Sequence, residues 1–256
     1  MRIAIVTPTY NEAENLPKLV SALFSLPLNL SILVVDDNSP DGTGRIAEQL
    51  AVEHPSRMHV LHRPGKMGLR SAYLNGFQKV LDGGAEAVVQ MDADFSHDPS
   101  ALENMSKMLV SHEVVLGSRY IPGGSVDEQW SAARKRLSAF GNFYARTILG
   151  MPLHDVTTGY RMWRRETLQS MPLERIQSNG YVFLVEMAYL AHCLDFKIAE
   201  SPIYFADRRL GKSKMSLKIQ LEAALRVWQV WWHYRDLKKA GKAGRLVIHG
   251  NQKGHG

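Results

Sequence analysis

The stretch Val88-Val89-Gln90-Met91-Asp92-Ala93-Asp94-Phe95-Ser96 joins an apolar run to two carboxylates that stand one residue apart. The apolar part predicts a buried strand, and the two aspartates follow directly where this strand ends. Carboxylates at the end of a buried strand are costly unless a cation or hydrogen-bond donors neutralise them. Oxygen-liganded Mg²⁺ or Mn²⁺ usually takes one or two carboxylates and completes its shell with phosphates and water. The stretch therefore predicts a metal site for a phosphorylated substrate, with turn capping as the alternative interpretation.

Strands and helices alternate on both sides of this stretch. Runs of β-branched residues predict strands over residues 2–7, 31–36, 58–62, 86–91 and 113–118. Apolar residues at helical spacing predict helices over residues 12–24, 41–52, 69–81 and 99–109, with Asp41 and Asp98 among the capping residues. Further helices are predicted near residues 131–149 and 181–193. The alternation predicts an α/β fold built on a mostly parallel sheet flanked by helices.

Composition narrows the class of protein. The chain has 256 residues, 45% of them hydrophobic, which suffices for one core or one α/β domain with an appended segment. Cys193 is the single cysteine, so no disulfide forms within the chain and a reducing compartment fits best. Because the start lacks a signal-peptide core and no run reaches about 18 apolar residues, we expect a soluble or peripheral protein. The net charge of +6 suits nucleic acid, a phosphorylated substrate or an anionic membrane.

Polar residues follow the first two strands, at the edge where ligands bind in open α/β sheets. They are Pro8-Thr9-Tyr10-Asn11-Glu12 and the segment 36–43. The turn after the first strand contains no G-x-G-x-x-G motif, and no P-loop motif occurs anywhere in the chain, which argues against a dinucleotide enzyme and a P-loop NTPase. Tyr10 is suited to pack on a base, and an aspartate after the second strand is suited to accept hydrogen bonds from a base or ribose. The alternative is that Asp36, Asp37 and Asp41 only shape a turn and cap a helix.

With these acidic stretches and several later motifs, the chain resembles the family 2 inverting glycosyltransferases of the GT-A fold. Within that family it looks like the dolichol- or polyprenol-phosphate mannose synthases, over residues 2–216. The later motifs that carry the resemblance are Asn38–Thr43, Gly117–Tyr120, Gly159–Arg161, Gly180–Phe183, Asp207–Arg208 and Gly211–Lys214. Two positions depart from it: Arg70 stands where relatives commonly carry a glycine, and Ser96 where some relatives present a longer amide to the metal.

The resemblance implies that the chain transfers mannose from GDP-mannose to dolichyl or polyprenyl phosphate with inversion, giving a β-linked product. It implies a nucleotide-sugar site formed by Pro8, Tyr10, Glu12, Val35, Asp37, Asp92, Ala93, Asp94, Arg208 and Lys214. It implies Mg²⁺ or Mn²⁺ at Asp92, Asp94 and Ser96, and an acceptor-phosphate site at Arg119, Arg134 and Ser138. The catalytic roles would fall to Asp92, Asp94, Arg119 and Arg208.

A lipid phosphate is an acceptor that needs little activation. Its second pKa is about 6, so its oxygen is already largely ionised near neutral pH and no strong catalytic base is required. A related enzyme that uses UDP-glucose, UDP-N-acetylglucosamine or another nucleotide sugar, with a lipid phosphate or a sugar hydroxyl as acceptor, remains the main alternative. A hydroxyl acceptor would need a general base, for which Glu186 and Asp155 are the candidates.

A non-enzymatic module that binds nucleic acid through Arg134–Arg136 is less favoured. The carboxylates at the strand ends would repel phosphate in the absence of a metal. We therefore expect no nucleic-acid partner.

Residues 217–240 form a predicted amphipathic helix after the catalytic domain of residues 1–216, and a flexible tail occupies residues 241–256. Apolar residues recur on one face of this helix, namely Leu217, Leu221, Leu225, Trp228, Trp231 and Trp232. Together with neighbouring arginines and lysines, this pattern is typical of a helix lying in a membrane interface, although such a stripe also suits packing against a core. We expect a peripheral protein on the cytoplasmic side of a membrane, and a membrane-anchoring partner protein stays open.

Overall fold

A seven-stranded sheet forms the centre of the protein in the computed structural model, which describes residues 1–207 and 217–240. The strands are β1 (Ile3–Thr9), β2 (Leu30–Asp36), β3 (Met58–His62), β4 (Ala87–Gln90), β5 (Val114–Ser118), β6 (Ser125–Val126), β7 (Arg161–Arg164), β8 (Ile198–Pro202) and β9 (Tyr204–Phe205). The order across the sheet is β3-β2-β1-β4-β7-β5-β8, while β6 and β9 pair separately. All pairs in the large sheet are parallel except those of β7, which runs antiparallel to β4 and β5.

Helices cover both faces of the sheet. They are α1 (Leu16–Phe24), α2 (Thr43–Glu53), α3 (Leu69–Asp82), α4 (Ala101–Leu109), α5 (Ala132–Leu149), α6 (Arg165–Ser170), α7 (Gly180–Cys193), α8 (Leu217–His233) and α9 (Arg235–Ala240). Successive residues of β1 alternate between the two cores, because side chains of a strand point to opposite faces. Ile3 and Ile5 pack with α1, α2 and α4, whereas Ala4 and Val6 pack with α3 and α7.

The predicted α/β class, the five predicted strands and the helices predicted before residue 217 are confirmed, with boundaries that shift by up to four residues. The single helix predicted over residues 217–240 is instead two helices, α8 and α9, which are separated at Tyr234. The N-cap residues of two helices lie slightly later in the chain than the predicted Asp41 and Asp98. The N-caps of α2 and α4 are Gly42 and Ser100. Asp41 instead accepts a hydrogen bond from the backbone of Thr43, and Asp98 accepts one from the backbone of Ser100. Each carboxylate thus stabilises the start of its helix from just outside it.

Helix α3 lies unusually close to the sheet, because Gly76 faces β1. A Cβ atom at Gly76 would stand 2.3 Å from Cγ1 of Val6. Tyr73 and Phe77, on the same helix, are wholly buried between the sheet and α7. This close approach sets the distance between α3 and the sheet.

Helix α8 packs on the core through residues other than those of the predicted apolar stripe. Val227 and Val230 are buried, and the hydroxyl of Tyr144 in α5 donates a hydrogen bond to the backbone oxygen of Ala224. The stripe itself faces outward: Leu221, Leu225, Trp228, Trp231 and Trp232 are between 39% and 68% exposed. The alternative that this stripe packs against the core is therefore wrong for these five residues. Within the two described segments, no helix combines the length and the apolar character needed to cross a membrane.

Tyr234, between α8 and α9, ties this end of the chain to α7. Its buried hydroxyl donates a 2.9 Å hydrogen bond to Oε1 of Glu186. Glu186 is also buried, and its carboxylate accepts hydrogen bonds from the backbone amides of Gln177 and Ser178. The carboxylate of Glu186 therefore joins α7 to the loop that precedes it and to Tyr234 at the end of α8.

We predict that Tyr234→Phe lowers the free energy of unfolding by about 1.5–3 kcal/mol, because it removes a buried hydrogen bond to a charged group. Urea unfolding checks this prediction. Tyr181→Phe is the matched control, since Tyr181 is 51% exposed, and it should change stability by no more than about 0.5 kcal/mol. Equal stability of the two variants would contradict the proposed weight of this contact.

Candidate active site

Three turns meet at the carboxyl edge of the sheet, after the adjacent parallel strands β2, β1 and β4. Each turn holds one residue other than glycine in the left-handed region: Asn38 with φ 56°, Asn11 with φ 64° and Phe95 with φ 61°. Asparagine tolerates this region, but it is costly for an aromatic residue. Such backbone conformations persist where the surrounding structure enforces them, and they cluster at functional sites.

Hydrogen bonds with neighbouring residues orient Asp92 and Asp94 in the turn after β4. Oδ1 of Asp94 accepts hydrogen bonds from the backbone amide of Ser96 at 3.0 Å and from its hydroxyl at 2.6 Å. The backbone amide of Asp92 donates to Nδ1 of His97 at 3.1 Å, and the hydroxyl of Tyr73 donates to Oδ1 of Asp92 at 3.4 Å. Burial, followed by the charge of Asp92, raises the pKa of Tyr73 well above its usual value, so the hydroxyl stays a donor.

The residues of this turn fit a divalent cation that is shared with a substrate. Among residues 1–207 and 217–240, no group of three or more His, Cys, Asp or Glu side chains could hold a metal ion. The two carboxylates of Asp92 and Asp94 match the small protein contribution that Mg²⁺ and Mn²⁺ use when phosphates complete the shell. Ser96 is wholly buried with its hydroxyl directed at Asp94, an arrangement that favours positioning of Asp94 over direct ligation. Ala93 is also buried and packs in the core beside β4.

The two aspartates at the end of β2, Asp36 and Asp37, have different surroundings. Asp36 accepts hydrogen bonds from Thr9 and from the hydroxyl and backbone amide of Ser39, so it shapes the turn, as the alternative interpretation held. Asp37 instead lies next to Arg63, with Oδ1 and Nη1 2.9 Å apart and both side chains buried. These two atoms are close enough for an ion pair but are not aligned for a hydrogen bond, and Oδ1 makes none with the described residues.

The pKa of Asp37 is raised, first by burial and also by Asp36, although Arg63 opposes both. Arg63 was missed by the sequence reasoning. It follows β3 at the same sheet edge, so the rule that located Asp37 and Asp94 also points to it.

The remaining residues predicted for the nucleotide lie at or near the same edge, although Val35 is wholly buried in the core. Pro8 and Val35 are register partners in β1 and β2. Tyr10 is 38% exposed, and Nζ of Lys66 lies 4.1 Å from the centre of its ring. The backbone amide of Glu12 donates to the hydroxyl of Thr43, which joins the turn after β1 to the start of α2. Arg208 and Lys214 lie outside the described residues.

The residues predicted for the acceptor phosphate form a second group, beyond β5. Arg119 is buried and donates from Nε and Nη2 to the two oxygens of Asp155, at 2.7 and 2.9 Å. Burial opposes its charge, but Asp155 outweighs burial and raises the pKa of Arg119 above its usual value. Arg134 donates from Nη1 to Oδ1 of Asp207 at 2.7 Å, and its guanidinium lies 3.8 Å from the ring centre of Trp130.

Aromatic rings link the residues of this second group to one another and to the turn after β4. The hydroxyls of Ser138 and Tyr120 are 2.8 Å apart, and the ring of Tyr120 lies 5.2 Å from the guanidinium of Arg119. Phe205 contacts the rings of Trp130 and His97 and also lies 5.2 Å from the guanidinium of Arg119. Phe205 thus contacts both the turn after β4, through His97, and the second group, through Arg119 and Trp130.

The two carboxylates considered as general bases are both engaged by the protein. Glu186 accepts the three hydrogen bonds described above, and Asp155 accepts from Arg119, from its own neighbour Thr157 and from the backbone amide of Arg119. Both side chains are at most 1% exposed. Neither is therefore placed to take a proton from a hydroxyl substrate.

A buried arginine supports the loop between the two groups. Arg161 is wholly buried and donates to the backbone oxygens of Thr158 and Val156. Burial lowers the pKa of Arg161 to about 9, which leaves it protonated at neutral pH. It fixes the loop that presents Asp155 to Arg119.

Known proteins resemble this chain over most of its length. It is 44% identical over 227 residues to a polyprenol monophosphomannose synthase of Mycolicibacterium smegmatis, an alignment that covers 88% of this chain and 85% of the relative. It is also 44% identical to an undecaprenyl-phosphate mannosyltransferase of Micrococcus luteus, with 89% of this chain and 93% of that protein covered.

Solved structures share the fold at low sequence identity. The glucosyl-3-phosphoglycerate synthase of Mycobacterium tuberculosis, in complex with Mn²⁺, UDP-glucose and phosphoglyceric acid, aligns with a TM-score of 0.62 and 17% identity. The alignment covers 91% of this chain and 79% of that chain. A family profile described as glycosyl transferase family 2 matches residues 4–171. With this match and with relatives of 44% identity, the chain belongs to glycosyltransferase family 2.

Proposed function

We propose that the protein transfers mannose from GDP-mannose to a polyprenyl phosphate, with inversion at the anomeric carbon. The observation that carries this proposal is that Phe205 links two groups of residues: the carboxylate turn, which is suited to a metal diphosphate, and the group of Arg119 and Arg134, which is suited to a second anion. The identity to two enzymes named for mannose transfer to a polyprenyl phosphate supports the same reaction.

Asp92 and Asp94 would hold the cation at the donor. When bound, Mg²⁺ or Mn²⁺ supplies positive charge that stabilises the departing nucleoside diphosphate. The protein orients these carboxylates through Ser96, His97 and Tyr73, so little reorganisation is needed when the substrate binds.

The acceptor is best explained as a phosphate. A lipid phosphate arrives largely ionised and needs mainly alignment and charge screening, tasks that suit Arg119, Arg134 and Ser138. A hydroxyl acceptor would need a free base, whereas Glu186 and Asp155 are both saturated with hydrogen bonds. This saturation disfavours the sugar-hydroxyl alternative.

Guanine suits the base pocket because it offers two adjacent donors on one edge. Oδ1 of Asp37 is buried and makes no hydrogen bond with the described residues. A carboxylate accepts from the N1 and N2 donors of guanine together, whereas uracil presents a single N–H donor. Tyr10 stands nearby with an exposed ring that can pack on the base.

The lipid acceptor implies a membrane surface, and α5 and α8 together provide a matching face. We define the α5–α8 face by its exposed apolar residues, which are Leu137, Phe140, Phe143, Leu221, Leu225, Trp228 and Trp232. Its two halves are joined where Nε1 of Trp228 donates to the hydroxyl of Tyr144, whose ring contacts that of Phe140. Exposed Arg136, Arg235 and Lys238 lie on the same helices or just after them.

An exposed apolar face accompanied by basic residues is the pattern of a surface that enters the headgroup region of an anionic bilayer. Arg134 and Ser138 stand on α5 beside this face. A lipid acceptor could therefore reach them with its chain still in the membrane.

We predict that Asp94→Asn lowers transfer of radiolabelled mannose from GDP-mannose to undecaprenyl phosphate by at least about 100-fold in the presence of Mn²⁺, because a metal ligand is lost. Asp82→Asn, an exposed carboxylate on α3, is the control and should keep full activity. Both variants should melt at the temperature of the unmodified protein. Normal turnover by Asp94→Asn, or transfer that survives a chelator, would remove the metal assignment.

For the nucleotide, calorimetry should give a Kd for GDP at least about tenfold below those for UDP and ADP, because guanine offers the carboxylate of Asp37 two adjacent donors and therefore a second charge-assisted hydrogen bond. Asp37→Asn should remove most of this preference, since its amide would face the donors of guanine. A melting curve establishes that the variant is folded despite the loss of the partner of Arg63. Equal binding of GDP and UDP by the unmodified protein would favour the alternative of a UDP-sugar donor.

We predict that the double variant Phe140→Ser with Phe143→Ser lowers the fraction that floats with phosphatidylglycerol-containing vesicles at least about fivefold, because two apolar anchors are lost. Val52→Ser with Val110→Ser is the matched control, since these valines are 81% and 76% exposed but lie on α2 and after α4.

These substitutions test the surface more directly than a truncation before α8. Such a truncation would also remove Val227, Val230 and Tyr234 from the core. Equal flotation of the two double variants would rule out the α5–α8 face as the membrane contact.

A further inference from the structure

The buried ion pair of Asp37 and Arg63 lies in the base site, where the proposed function gives a role to Asp37 alone. The two side chains are 9% and 3% exposed, and Oδ1 of Asp37 lies 2.9 Å from Nη1 of Arg63. Nε and Nη1 of Arg63 make no hydrogen bond with the described residues. A buried cation with two nitrogens that lack hydrogen bonds is unfavourable for stability. Its position at the sheet edge where ligands bind therefore points to a role in binding.

The elements on both sides of Arg63 hold it in one orientation. Its backbone amide donates to the backbone oxygen of Asp36 at 2.8 Å. Its Nη2 donates to the hydroxyl of Ser71, in the first turn of α3, at 2.6 Å. The hydroxyl of Ser71 donates in turn to the backbone oxygen of Met67 at 2.9 Å. The guanidinium is therefore fixed beside Asp37 before a nucleotide binds.

The recognition of guanine through Asp37 requires an ionised carboxylate. A carboxylate accepts from two donors, whereas protonation turns one of its oxygens into a donor. Burial is the largest influence on the pKa of Asp37 and raises it, and the charge of Asp36 acts in the same direction. Arg63 opposes both most strongly, and the backbone amide of Met67 and the charge of Lys66 oppose them more weakly. Arg63 is therefore the main group that keeps Asp37 an acceptor.

We propose that Arg63 is a positioning residue of the base site, which holds the carboxylate of Asp37 in place and in its ionised form and so sets the preference for guanine. The inference rests on the proposed function, since it takes Asp37 as the acceptor for the base. Arg63 acts through Asp37 and needs no contact with the nucleotide. An arginine suits this task, because its guanidinium keeps its charge even when it is buried.

The test compares GDP with IDP by calorimetry on the full chain, with Mn²⁺ present, from roughly pH 5.5 to 7.5. IDP lacks only the N2 amine of guanine, so the ratio of the two Kd values reports one hydrogen bond, and the titration of the diphosphate cancels. In the unmodified protein, IDP should bind at least about tenfold more weakly near pH 7.5, because a hydrogen bond to a charged group is lost. The ratio should decline as the pH falls through the pKa of Asp37.

Arg63→Met should lower this ratio at least about threefold near pH 7 and move its decline to higher pH, because the charge that opposes burial is removed. Arg63→Lys keeps a charge and should restore most of both properties. Ser71→Ala removes the partner of Nη2 but no charge, and it should lower the ratio about twofold. Arg57→Met is the matched control, because Arg57 stands over the ring of Phe24 at the opposite end of β3, and it should change neither property.

If Arg63→Met weakens GDP and IDP equally and leaves the pH dependence of the ratio unchanged, the role of Arg63 is structural and the inference is overturned. Loss of the preference in Asp37→Asn would then still uphold the base site. A ratio near one in the unmodified protein would instead remove Asp37 as the acceptor for guanine, and the inference would fall with it. Should Arg63→Met fail to fold, Ser71→Ala decides, and an unchanged ratio in that variant overturns the inference.

Discussion

The antiparallel strand β7 sets the spacing on which the two halves of the site depend. It is inserted between β4, which ends at the carboxylate turn, and β5, which ends at Arg119. Neighbouring strands lie about 4.8 Å apart, so the ends of β4 and β5 stand roughly 9.6 Å apart. That separation leaves room for a sugar between a diphosphate and a second phosphate. Without β7, the carboxylate turn and Arg119 would adjoin each other.

Charge balance explains much of the loop structure around this gap. Arg119 with Asp155 and Arg63 with Asp37 are buried pairs; the first joins the end of β5 to the loop before β7, and the second joins the ends of β3 and β2. Arg161 differs, because its guanidinium donates hydrogen bonds to backbone oxygens of the loop before β7 rather than to a carboxylate. A buried charge that is bonded to the main chain holds a loop in one conformation, since any other conformation would leave the charge unsatisfied.

The elements with periodic apolar residues could be predicted from the sequence, and the long-range pairs could not. Strands β1 to β5 have runs of β-branched residues, and the residues just after them were located by the rule for sheet edges. Strand β7 escaped prediction because Arg161 and Arg164 stand at its two ends, although Arg161 is wholly buried. The partner of Arg119 lies 36 residues away and that of Arg134 lies 73 residues away, distances that no local pattern encodes. The apolar stripe of α8 was visible, but which face it shows depends on packing against α5 and α7.

Phe95 shows how the fold prepares the carboxylate turn before any ligand arrives. An aromatic residue with φ 61° is strained, and its side chain packs against the core that includes Met91 and Ala93. That packing holds the backbone in a conformation which the same peptide would abandon in isolation. The entropy of ordering the turn is thus lost during folding rather than during substrate binding. The turn is preorganised at a cost in global stability, and a substitution that relaxed Phe95 would exchange one for the other.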